Sequence, residues 1–479
     1  MIADLKPYAE YKESGLPWLG DIPHHWASER AKWLFTKMDR PVREEDEVVT
    51  CFRDGMVTLR KNRRLRGFTE ATVYSGYQGI RKGDLVIHGM DAFAGAIGVS
   101  DSDGKGTPVY NVCQPRSGAD ASYYAQLVRQ MSQSQWILAL AKGIRERSTD
   151  FRFEMFGNQR VPLPPVPEQA AIVRFLDWAN GRLERAIRAK RKVITLLNEQ
   201  KQAIIHRAVT RGLDPSVPLK PSGIPWLGDI PQHWEVRRLK HSVSHIEQGW
   251  SPQCDAQPAG ENEWGVLKVG CVNKDFFSPH QNKKLPATFQ PDHSLEIRDG
   301  DILVSRANTR ELLGLATLAE NPPAKRILCD KLFRFRTKSD CFNSKFLVLA
   351  LRAKPSRAQI ESSTNGASSS MQNIGQGVLK NLWVSMPAVA EQDRIVKHIS
   401  VATQPVSAAI SRLEREIEFL REYRTRLVAD VVTGKLDVRE AAAKLPEEPA
   451  DLEPLDDADA LTEETGDADL DAVTQEAEA

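Results

Sequence analysis

Two long stretches of the chain place apolar residues at alternating steps of three and four. Nine of eleven such positions are apolar between Ile172 and Ala208, and ten of eleven are apolar between Ile395 and Val431. This spacing gathers the apolar side chains on one narrow stripe of an α-helix. A stripe this long and narrow indicates a coiled-coil seam, and the simplest partner of each helix is the other one.

The middle of this seam is the candidate spacer and partner interface. Its residues are Ile187, Ile194, Leu197, Lys201 and Ile204 in the first helix and Ile410, Leu413, Ile417, Leu420, Arg424 and Leu427 in the second. Lys201 and Arg424 occupy equivalent positions and interrupt an otherwise apolar stripe. Because a polar residue in a coiled-coil seam commonly fixes register or partner choice, we predict that this pair does so here.

Gly181 and Pro405 predict a break near the start of each helix. Proline has no backbone N–H to donate inside a helix, although it is tolerated in a first turn. The pattern therefore predicts main helices over residues 182–211 and 405–433. Gly434 is expected to end the second one.

The chain repeats itself. Residues 17–23 and 225–231 are the same heptapeptide, Pro-Trp-Leu-Gly-Asp-Ile-Pro, followed three positions later by Trp26 and Trp234. Adding 223 carries the first helix onto the second without a gap. Two copies of one framework are expected, with Trp18 and Trp26 pinning the first turn in a core.

Between each heptapeptide and each helix lies a mixed unit. Short apolar runs such as residues 84–87 and 95–99 predict strands, whereas residues 123–140 predict a helix. Residues 297–303 repeat the character of residues 80–86. The expected fold class is α+β, with two α/β units in a pseudo-twofold arrangement separated by a pair of long antiparallel helices.

Seven segments are predicted along the chain. They are a lead-in and first block (1–26), the first mixed unit (27–160), a central helical spacer (161–214), a linker and second block (215–234), the second mixed unit (235–386), a C-terminal helical spacer (387–440) and an acidic disordered tail (441–479). A helix of about 30 residues spans about 45 Å, and one turn of DNA is about 34 Å. The helices are therefore suited to hold two DNA half-sites at a fixed distance.

The charges are segregated. Residues 1–444 hold 65 basic and 50 acidic side chains, and residues 445–479 hold 14 acidic and no basic ones. A cationic body favours nucleic acid as the partner. The tail is expected to be a solubilising disordered segment, or alternatively a competitor for the basic surface. Without an apolar stretch that could span a membrane or a signal-peptide pattern, a cytoplasmic protein is expected.

Cationic and amide side chains of the mixed units are the candidates for DNA contact. Arginine and lysine bind phosphate, arginine also pairs with guanine, and asparagine or glutamine pairs with adenine. The candidates are Arg60, Lys61, Arg63, Arg64, Arg66, Arg145, Arg147 and Arg152 in the first unit and Lys268, Asn273, Lys274, Arg306, Asn308, Arg310, Gln372 and Asn373 in the second. A merely solvated charge run is the alternative.

No catalytic constellation stands out. Residues 321–324, Asn-Pro-Pro-Ala, lack the aromatic that holds a flipped base in amino-methylating DNA enzymes. His241 and His245 have the spacing of a metal pair, but no third ligand accompanies them. We expect neither catalytic nor metal-binding residues in this chain.

The combination resembles the specificity subunit of type I restriction-modification systems over residues 12–440. The resemblance rests on Ser-Gly-x-Pro-Trp-Leu-Gly-Asp-Ile-Pro-x-His-Trp, on the proline-rich run at 162–169 before a long helix, and on the duplication; residues 385–390 are a degraded second copy of that run. It implies two target-recognition domains, each reading half of a bipartite, asymmetric site in double-stranded DNA.

The same resemblance implies partner subunits. Methyltransferase (M) subunits, two in number, bind the spacer and supply S-adenosylmethionine chemistry. Restriction/translocase (R) subunits supply translocation and cleavage with ATP and magnesium, so this chain would need no cofactor.

Two other hypotheses remain. One is a coiled-coil scaffold whose basic units meet protein or RNA, and the other is an independent nuclease or methyltransferase.

Overall fold

The long helices are shared between two units of the fold. The computed structural model describes residues 5–63, 76–141, 150–273, 276–338, 340–363 and 372–446. Unit 1 comprises residues 1–190 and 416–479, and unit 2 comprises residues 191–415. Each unit thus joins the first part of one long helix to the last part of the other.

Unit 1 is a mixed unit of short elements followed by a long helix. Its strands are β1 (Tyr11–Leu16), β2 (Leu19–Pro23), β3 (Ala27–Arg30), β4 (Phe35–Lys37), β5 (Val49–Cys51), β6 (Val57–Leu59), β7 (Gln78–Ile80), β8 (Leu85–His88), β9 (Ile97–Val99), β10 (Gly104–Gly106), β11 (Tyr110–Pro115) and β12 (Arg160–Leu163). Its helices are α1 (Ala31–Leu34), α2 (Ala121–Gln133), α3 (Trp136–Leu140) and α4 (Phe153–Asn158), and α5 (Val166–Arg211) follows.

The core of unit 1 lies between a sheet and helices. The sheet is antiparallel with the order β4-β11-β8-β9. Helix α2 begins where the Asp120 side chain accepts hydrogen bonds from two backbone N–H groups, which caps its free N-terminus. Its buried Tyr123 and Tyr124 share one apolar cluster with Phe175 of the long helix and with Val431.

Unit 2 is also a mixed unit of short strands and helices. Its strands are β13 (Leu219–Pro221), β14 (Asp229–Pro231), β15 (Glu235–Arg238), β16 (Glu247–Gln248), β17 (Gly265–Leu267), β18 (Asn282–Lys284), β19 (Ile302–Ser305), β20 (Ala307–Asn308), β21 (Ala316–Leu318), β22 (Arg326–Ile327), β23 (Leu332–Phe335), β24 (Gln372–Asn373) and β25 (Trp383–Met386). Its helices are α6 (Ser344–Arg352), α7 (Lys354–Ser362) and α8 (Gln376–Asn381), and they precede α9 (Val389–Val432) and the short α10 (Arg439–Ala443).

Two apolar clusters fill unit 2. The larger one joins the antiparallel sheet β16-β23-β19-β21 to the helices and includes Trp234, Phe346, Val209 and Ile395. The smaller one underlies the sheet β18-β17-β22, in which β17 and β22 are parallel. Val209 belongs to α5 and Ile395 to α9, so both long helices are built into this unit.

The internal repeat is confirmed by equivalent elements at constant offsets. Strand β15 starts 208 residues after β3, and α8 and β25 start 223 residues after α4 and β12. The central strands β8 and β19 each follow a glycine with positive φ, Gly83 at 89° and Gly300 at 84°. Glycine adopts this conformation without steric cost, so the same turn introduces both strands.

The predicted helix breaks are wrong, because α5 and α9 continue through Gly181 and Pro405. Pro405 is exposed, and Val401, whose carbonyl loses its helical donor, is 63% exposed, so water can satisfy that oxygen. Gly181 destabilises the helix by about 1 kcal/mol. Ala179 and Leu183 on either side of it are buried, and their packing keeps this turn helical. The predicted stop is confirmed: Gly434 has φ 79° and follows the last turn.

The two helices run antiparallel where they pair, as predicted. In unit 1 Lys190 pairs with Glu416 at 2.5 Å, and Glu184 pairs with Arg424 at 3.3 Å. In unit 2 the carbonyl of Val209 accepts from the Ser385 hydroxyl just before α9. All eleven predicted seam residues are buried or half-buried.

Residues after α9 extend the fold beyond the predicted start of the tail. Helix α10 buries Ala442, and Leu445 is also buried. The Arg174 guanidinium donates to the carbonyls of Leu445 and Pro446. Residues 441–446 are therefore not part of a disordered tail, because apolar burial and these hydrogen bonds hold them on unit 1. Residues 447–479 lie outside the described part of the chain.

Candidate nucleic-acid interface

A buried carboxylate fixes the first block to the start of α5. Glu168 accepts from the Trp26 indole N–H at 2.9 Å and from the Tyr8 hydroxyl at 2.5 Å, and its other oxygen lies 2.8 Å from His25 Nε2. Trp26 is fully buried, as predicted, whereas Trp18 packs at the edge of the core. The segment that precedes the mixed unit is thus bound to α5, the helix that follows the unit.

The second block repeats this anchor without the tyrosine. Glu391 accepts from the Trp234 indole at 3.1 Å and pairs with His233 at 2.8 Å. The Glu391 side chain is 16% exposed, compared with 4% for Glu168. Burial, together with donation to Glu168, raises the pKa of Tyr8 above its ordinary value. Tyr8 therefore remains a protonated donor near neutral pH.

In unit 2 the structure brings two sets of candidate residues together. Strands β20 and β24 pair antiparallel, with Ala307 opposite Asn373 and Asn308 opposite Gln372. The backbone N–H of Ile374 continues the contact by donating to the carbonyl of Arg306. Candidates separated by more than sixty positions in sequence therefore form one short ladder.

Arg306 is held at the edge of this ladder by two contacts. Its guanidinium donates to the carbonyl of Asp330 at 3.3 Å and lies 6.0 Å from the centroid of the Phe333 ring. Among the described residues neither contact brings a carboxylate to this charge, because the Asp330 group involved is the backbone carbonyl. A positive charge that is oriented but not neutralised suits an anionic or base-edge ligand.

The neighbouring candidates differ in how available they are. The Asn308 side chain is half-buried and accepts from the backbone of Thr309, and Asn373 is exposed. Arg310 is 73% exposed and lies 3.7 Å from Glu361. The side-chain oxygen of Gln372 is buried without a donor among the described residues, so it needs a rearrangement or a water before it can meet a base.

An exposed aromatic pair near this ladder was missed by the sequence reasoning. The Trp250 backbone donates to the carbonyl of Leu328, and its ring meets that of Phe289 edge to face at 5.8 Å. Ser251, the next residue, hydrogen-bonds to Asp330, whose carbonyl also holds Arg306. The sequence offers one signal for this pair: Trp250 does not belong to a periodic apolar pattern, which is typical of a tryptophan outside the core.

The other described candidates of unit 2 lie at the short 3₁₀ helix Val269–Cys271. Lys268 precedes this helix and is half-buried. Asn273 follows it and is exposed, and its carbonyl accepts from the Arg352 guanidinium at 3.0 Å. Lys274 lies outside the described residues.

In unit 1 the cationic run begins as the 3₁₀ helix Arg60–Asn62. Lys61 forms an ion pair with Glu47, and Arg63 pairs with Asp54 at 2.5 Å while stacking 4.7 Å over Phe52. Arg60 donates to the Thr50 hydroxyl. Lys61 and Arg63 are therefore compensated by carboxylates within the chain.

The remaining candidates of unit 1 are less defined. Arg152 is 71% exposed and pairs with Asp150 at 2.5 Å, at the start of α4. Arg64, Arg66, Arg145 and Arg147 lie outside the described residues. The structure therefore places four of the eight candidates in this unit.

Metal-ligating side chains do not gather anywhere in the described ranges, where no three His, Cys, Asp or Glu residues form a potential ion site. The helices in those ranges also contain no segment that is both long and apolar enough to cross a bilayer.

Comparison with known proteins identifies relatives of one kind. The chain is 28% identical over 224 residues to the EcoEI type I restriction enzyme specificity subunit of Escherichia coli, and this match covers 47% of the chain and 37% of that protein. It is 25% identical over 296 residues to the MjaVIII specificity subunit of Methanocaldococcus jannaschii, covering 60% and 64%. The chain thus matches less than two thirds of the length of either relative. No protein-family model matches it.

A solved structure shares the fold. It concerns complex assembly and conformational transition of the type I R-M system, and it aligns with a TM-score of 0.60 at 17% identity, covering 87% of this chain and 99% of the other. The α+β fold with its two long helices is confirmed by this likeness. The relatives confirm the resemblance that the repeated motifs indicate.

Proposed function

We propose that this chain, a relative of type I restriction specificity subunits, reads an asymmetric bipartite target in double-stranded DNA and directs methyltransferase and restriction subunits to it. The observation that carries the proposal is the duplicated framework. The same anchors and ladders occur in both units, whereas their polar loops differ in sequence. One framework with two sets of side chains suits two different half-sites.

The predicted segments acquire roles in this proposal. Residues 27–160 and 235–386 are the two target-recognition domains. Residues 161–214 and 387–440 are the helical spacers that separate the half-sites, and residues 1–26 and 215–234 anchor each domain to a helix. Catalysis is assigned to the partner subunits, so this chain acts in the cytoplasm as a reading subunit without a cofactor of its own.

In unit 2 the ladder of β20 and β24 is the proposed reading edge. Arg306 offers two parallel donors, which suit guanine, and the amides of Asn308 and Asn373 suit adenine. Trp250 gives an apolar face next to these groups, suited to a thymine methyl or a sugar. Lys268 and Lys274 are proposed to meet phosphates, which position the ladder without reading sequence.

In unit 1 the proposed contacts include cations that are ion-paired within the chain. Lys61 and Arg63 must exchange Glu47 and Asp54 for phosphate when DNA binds. The Lys61–Glu47 pair is exposed on both sides, and such a pair contributes only about 0–1 kcal/mol, so its exchange costs little. Arg64, Arg66, Arg145, Arg147 and Arg152 complete the proposed set.

The proposed partners are two methyltransferase subunits on the spacer and restriction subunits bound through the assembly. Within unit 1, α9 exposes Phe419 (66%) and Tyr423 (41%) one helical turn apart. Within unit 2, α5 exposes Val193 and Leu196. Exposed apolar side chains on a paired helix favour a further helix as partner. S-adenosylmethionine, ATP and magnesium would be bound by these partners.

Methylome sequencing tests the proposal. Cells that express this chain with its methyltransferase subunit should carry one modified bipartite motif, and exchanging residues 27–160 for those of a relative should change only one half of it. The matched exchange of residues 235–386 should change only the other half. A change in both halves from a single exchange would contradict the division of reading, and an unmodified genome would contradict the function.

A further inference from the structure

A cationic patch recurs at the same place in each unit, outside the candidate reading loops. In unit 1 it lies on the ladder of β3 and β12, where Arg30 and Arg160 are directly opposite. Both are exposed, and neither guanidinium forms an ion pair with a described residue. Lys32, two positions on, donates to Asn158 at 3.4 Å.

The equivalent ladder of β15 and β25 carries the patch in unit 2. Arg238 lies opposite Trp383, stacks 4.9 Å over its ring, and donates to Asn381 at 2.7 Å. Arg238 and Trp383 line an open cleft of about 560 Å³ together with Arg237 and Lys240. Glu235 compensates Arg237 at 2.9 Å. Lys240 is exposed and forms no ion pair among the described residues.

Three positions of the patch keep their residue in both copies although the surrounding sequence differs. Arg30 corresponds to Arg238 and Lys32 to Lys240 at the offset of 208, and Asn158 corresponds to Asn381 at the offset of 223. A tryptophan accompanies each copy, Trp33 at 59% exposure in unit 1 and the half-buried Trp383 in unit 2.

Folding alone does not account for this arrangement. Like charges directly opposite on an antiparallel pair destabilise it, as Arg30 and Arg160 must do. Glu29 is the adjacent acid, and its carboxylate accepts from the Arg30 backbone N–H. The repulsive pair occurs in unit 1, because Trp383 lies opposite Arg238 in unit 2. The cations at the positions of Arg30 and Lys32 recur in both units, which indicates an anionic ligand for both surfaces.

We propose that these two patches, Arg30, Lys32 and Arg160 in unit 1 and Arg237, Arg238 and Lys240 in unit 2, bind backbone phosphates of duplex DNA independently of sequence. The inference rests on the proposed function. Each ladder begins directly after a tryptophan that is tied to a long helix, Trp26 or Trp234. A phosphate held here fixes the duplex against the rigid framework, so base reading is left to the loops.

Salt-dependent DNA binding tests the patch. The double substitution R30Q/R160Q is compared with wild type as the full chain in complex with its methyltransferase subunits, by fluorescence anisotropy with a target duplex and a scrambled duplex. Each lost phosphate contact should lower the slope of log K against log salt by about 0.9, which corresponds to about eightfold weaker binding at 0.1 M salt. K240Q should act likewise through unit 2. Both duplexes should weaken equally, and the methylated motif should not change.

Two controls separate the outcomes. R30K/R160K retains both charges and should keep the wild-type slope, whereas K444Q removes a surface lysine already paired with Glu440 at 2.5 Å and should have no effect. Thermal unfolding checks that the variants are folded. If wild type reads its target but the variants keep its slope, or if they lose only the methyltransferase subunit, the phosphate site is refuted while the proposed function stands. If wild type binds no duplex, both are refuted.

Discussion

Replacing Glu168 with Ala removes the carboxylate that accepts from three side chains of the N-terminal part of the chain. Two of its donors, the Tyr8 hydroxyl and the Trp26 indole, are buried and would lose their acceptor. The equivalent substitution in the second copy, Glu391→Ala, removes the acceptor of one buried donor, the indole of Trp234. The internal repeat thus supplies a matched pair of perturbations.

The magnitude follows from the number of buried donors left without an acceptor. Each costs about 1–3 kcal/mol, so Glu168→Ala should destabilise unit 1 by about 2–6 kcal/mol. Glu391→Ala should cost unit 2 about 1–3 kcal/mol on the same basis. Glu391 is also the more exposed of the two carboxylates, so water can replace part of what it provides.

Hydrogen exchange read by mass spectrometry is the suitable assay. Global unfolding of a chain with two units need not be two-state, so a single melting temperature would mix them. Peptides covering residues 11–30 and 219–238 report the two blocks separately. Glu168→Gln should recover most of the loss, because its carbonyl oxygen still accepts from Tyr8 and Trp26.

Equal destabilisation of the two units by the two alanine variants would refute the reasoning. So would a Glu168→Gln variant as unstable as Glu168→Ala, because the shared acceptor would then not be the cause.

Three further predictions concern the long helices. Pro405→Ala should restore a helical hydrogen bond and slow amide exchange in the surrounding turns by an amount equivalent to about 1–3 kcal/mol. The neighbouring substitution Gln404→Ala is the control. If Pro405→Ala slows exchange no more than this control does, the prediction is contradicted. Arg424→Leu should lower the free energy of unfolding by at most about 1 kcal/mol, because it removes the ion pair with Glu184. The variant should nevertheless reduce co-purification of the methyltransferase subunit. Unaltered assembly of this variant and of Lys201→Leu would count against a register-setting role. Inserting one heptad into both helices lengthens each by about 10 Å and should widen the gap in the methylated motif by up to about three base pairs at about 3.4 Å each, and an unchanged gap would exclude the helices as a ruler.

Local patterns predicted the few strands and helices for which a range was given, but not where they are interrupted. The strand expected at residues 84–87 is β8, and the one expected at 95–99 is β9 (Ile97–Val99). The helix expected over residues 123–140 is instead α2 and α3, separated at Gln135, which has a φ of 62°. Glutamine gives no signal for that conformation, so the periodicity could not indicate the kink.

The candidate site was less predictable than the helices. A run of cations can be identified in sequence, but whether a carboxylate neutralises it depends on distant residues. Lys61 meets Glu47 across the hairpin of β5 and β6, whereas the guanidinium of Arg306 meets a carbonyl and a ring in the part of the chain that the structure describes. The cationic patches were missed altogether. In unit 1 Arg30 and Arg160 meet only through the pairing of two strands that are far apart in sequence, and in unit 2 the three cations form a short run that gives no signal of its own.

The sequence by itself determined the duplication, the two helices and their pairing, because a period of three and four and a constant offset are local or repeated signals that need no coordinates. Only the tertiary structure decided that the helices continue through Gly181 and Pro405, and that β20 meets β24 to form one candidate reading edge. Those outcomes depend on which groups are buried and which remain in water. Burial depends on contacts between segments that are distant in the chain, and local sequence patterns do not reveal those contacts.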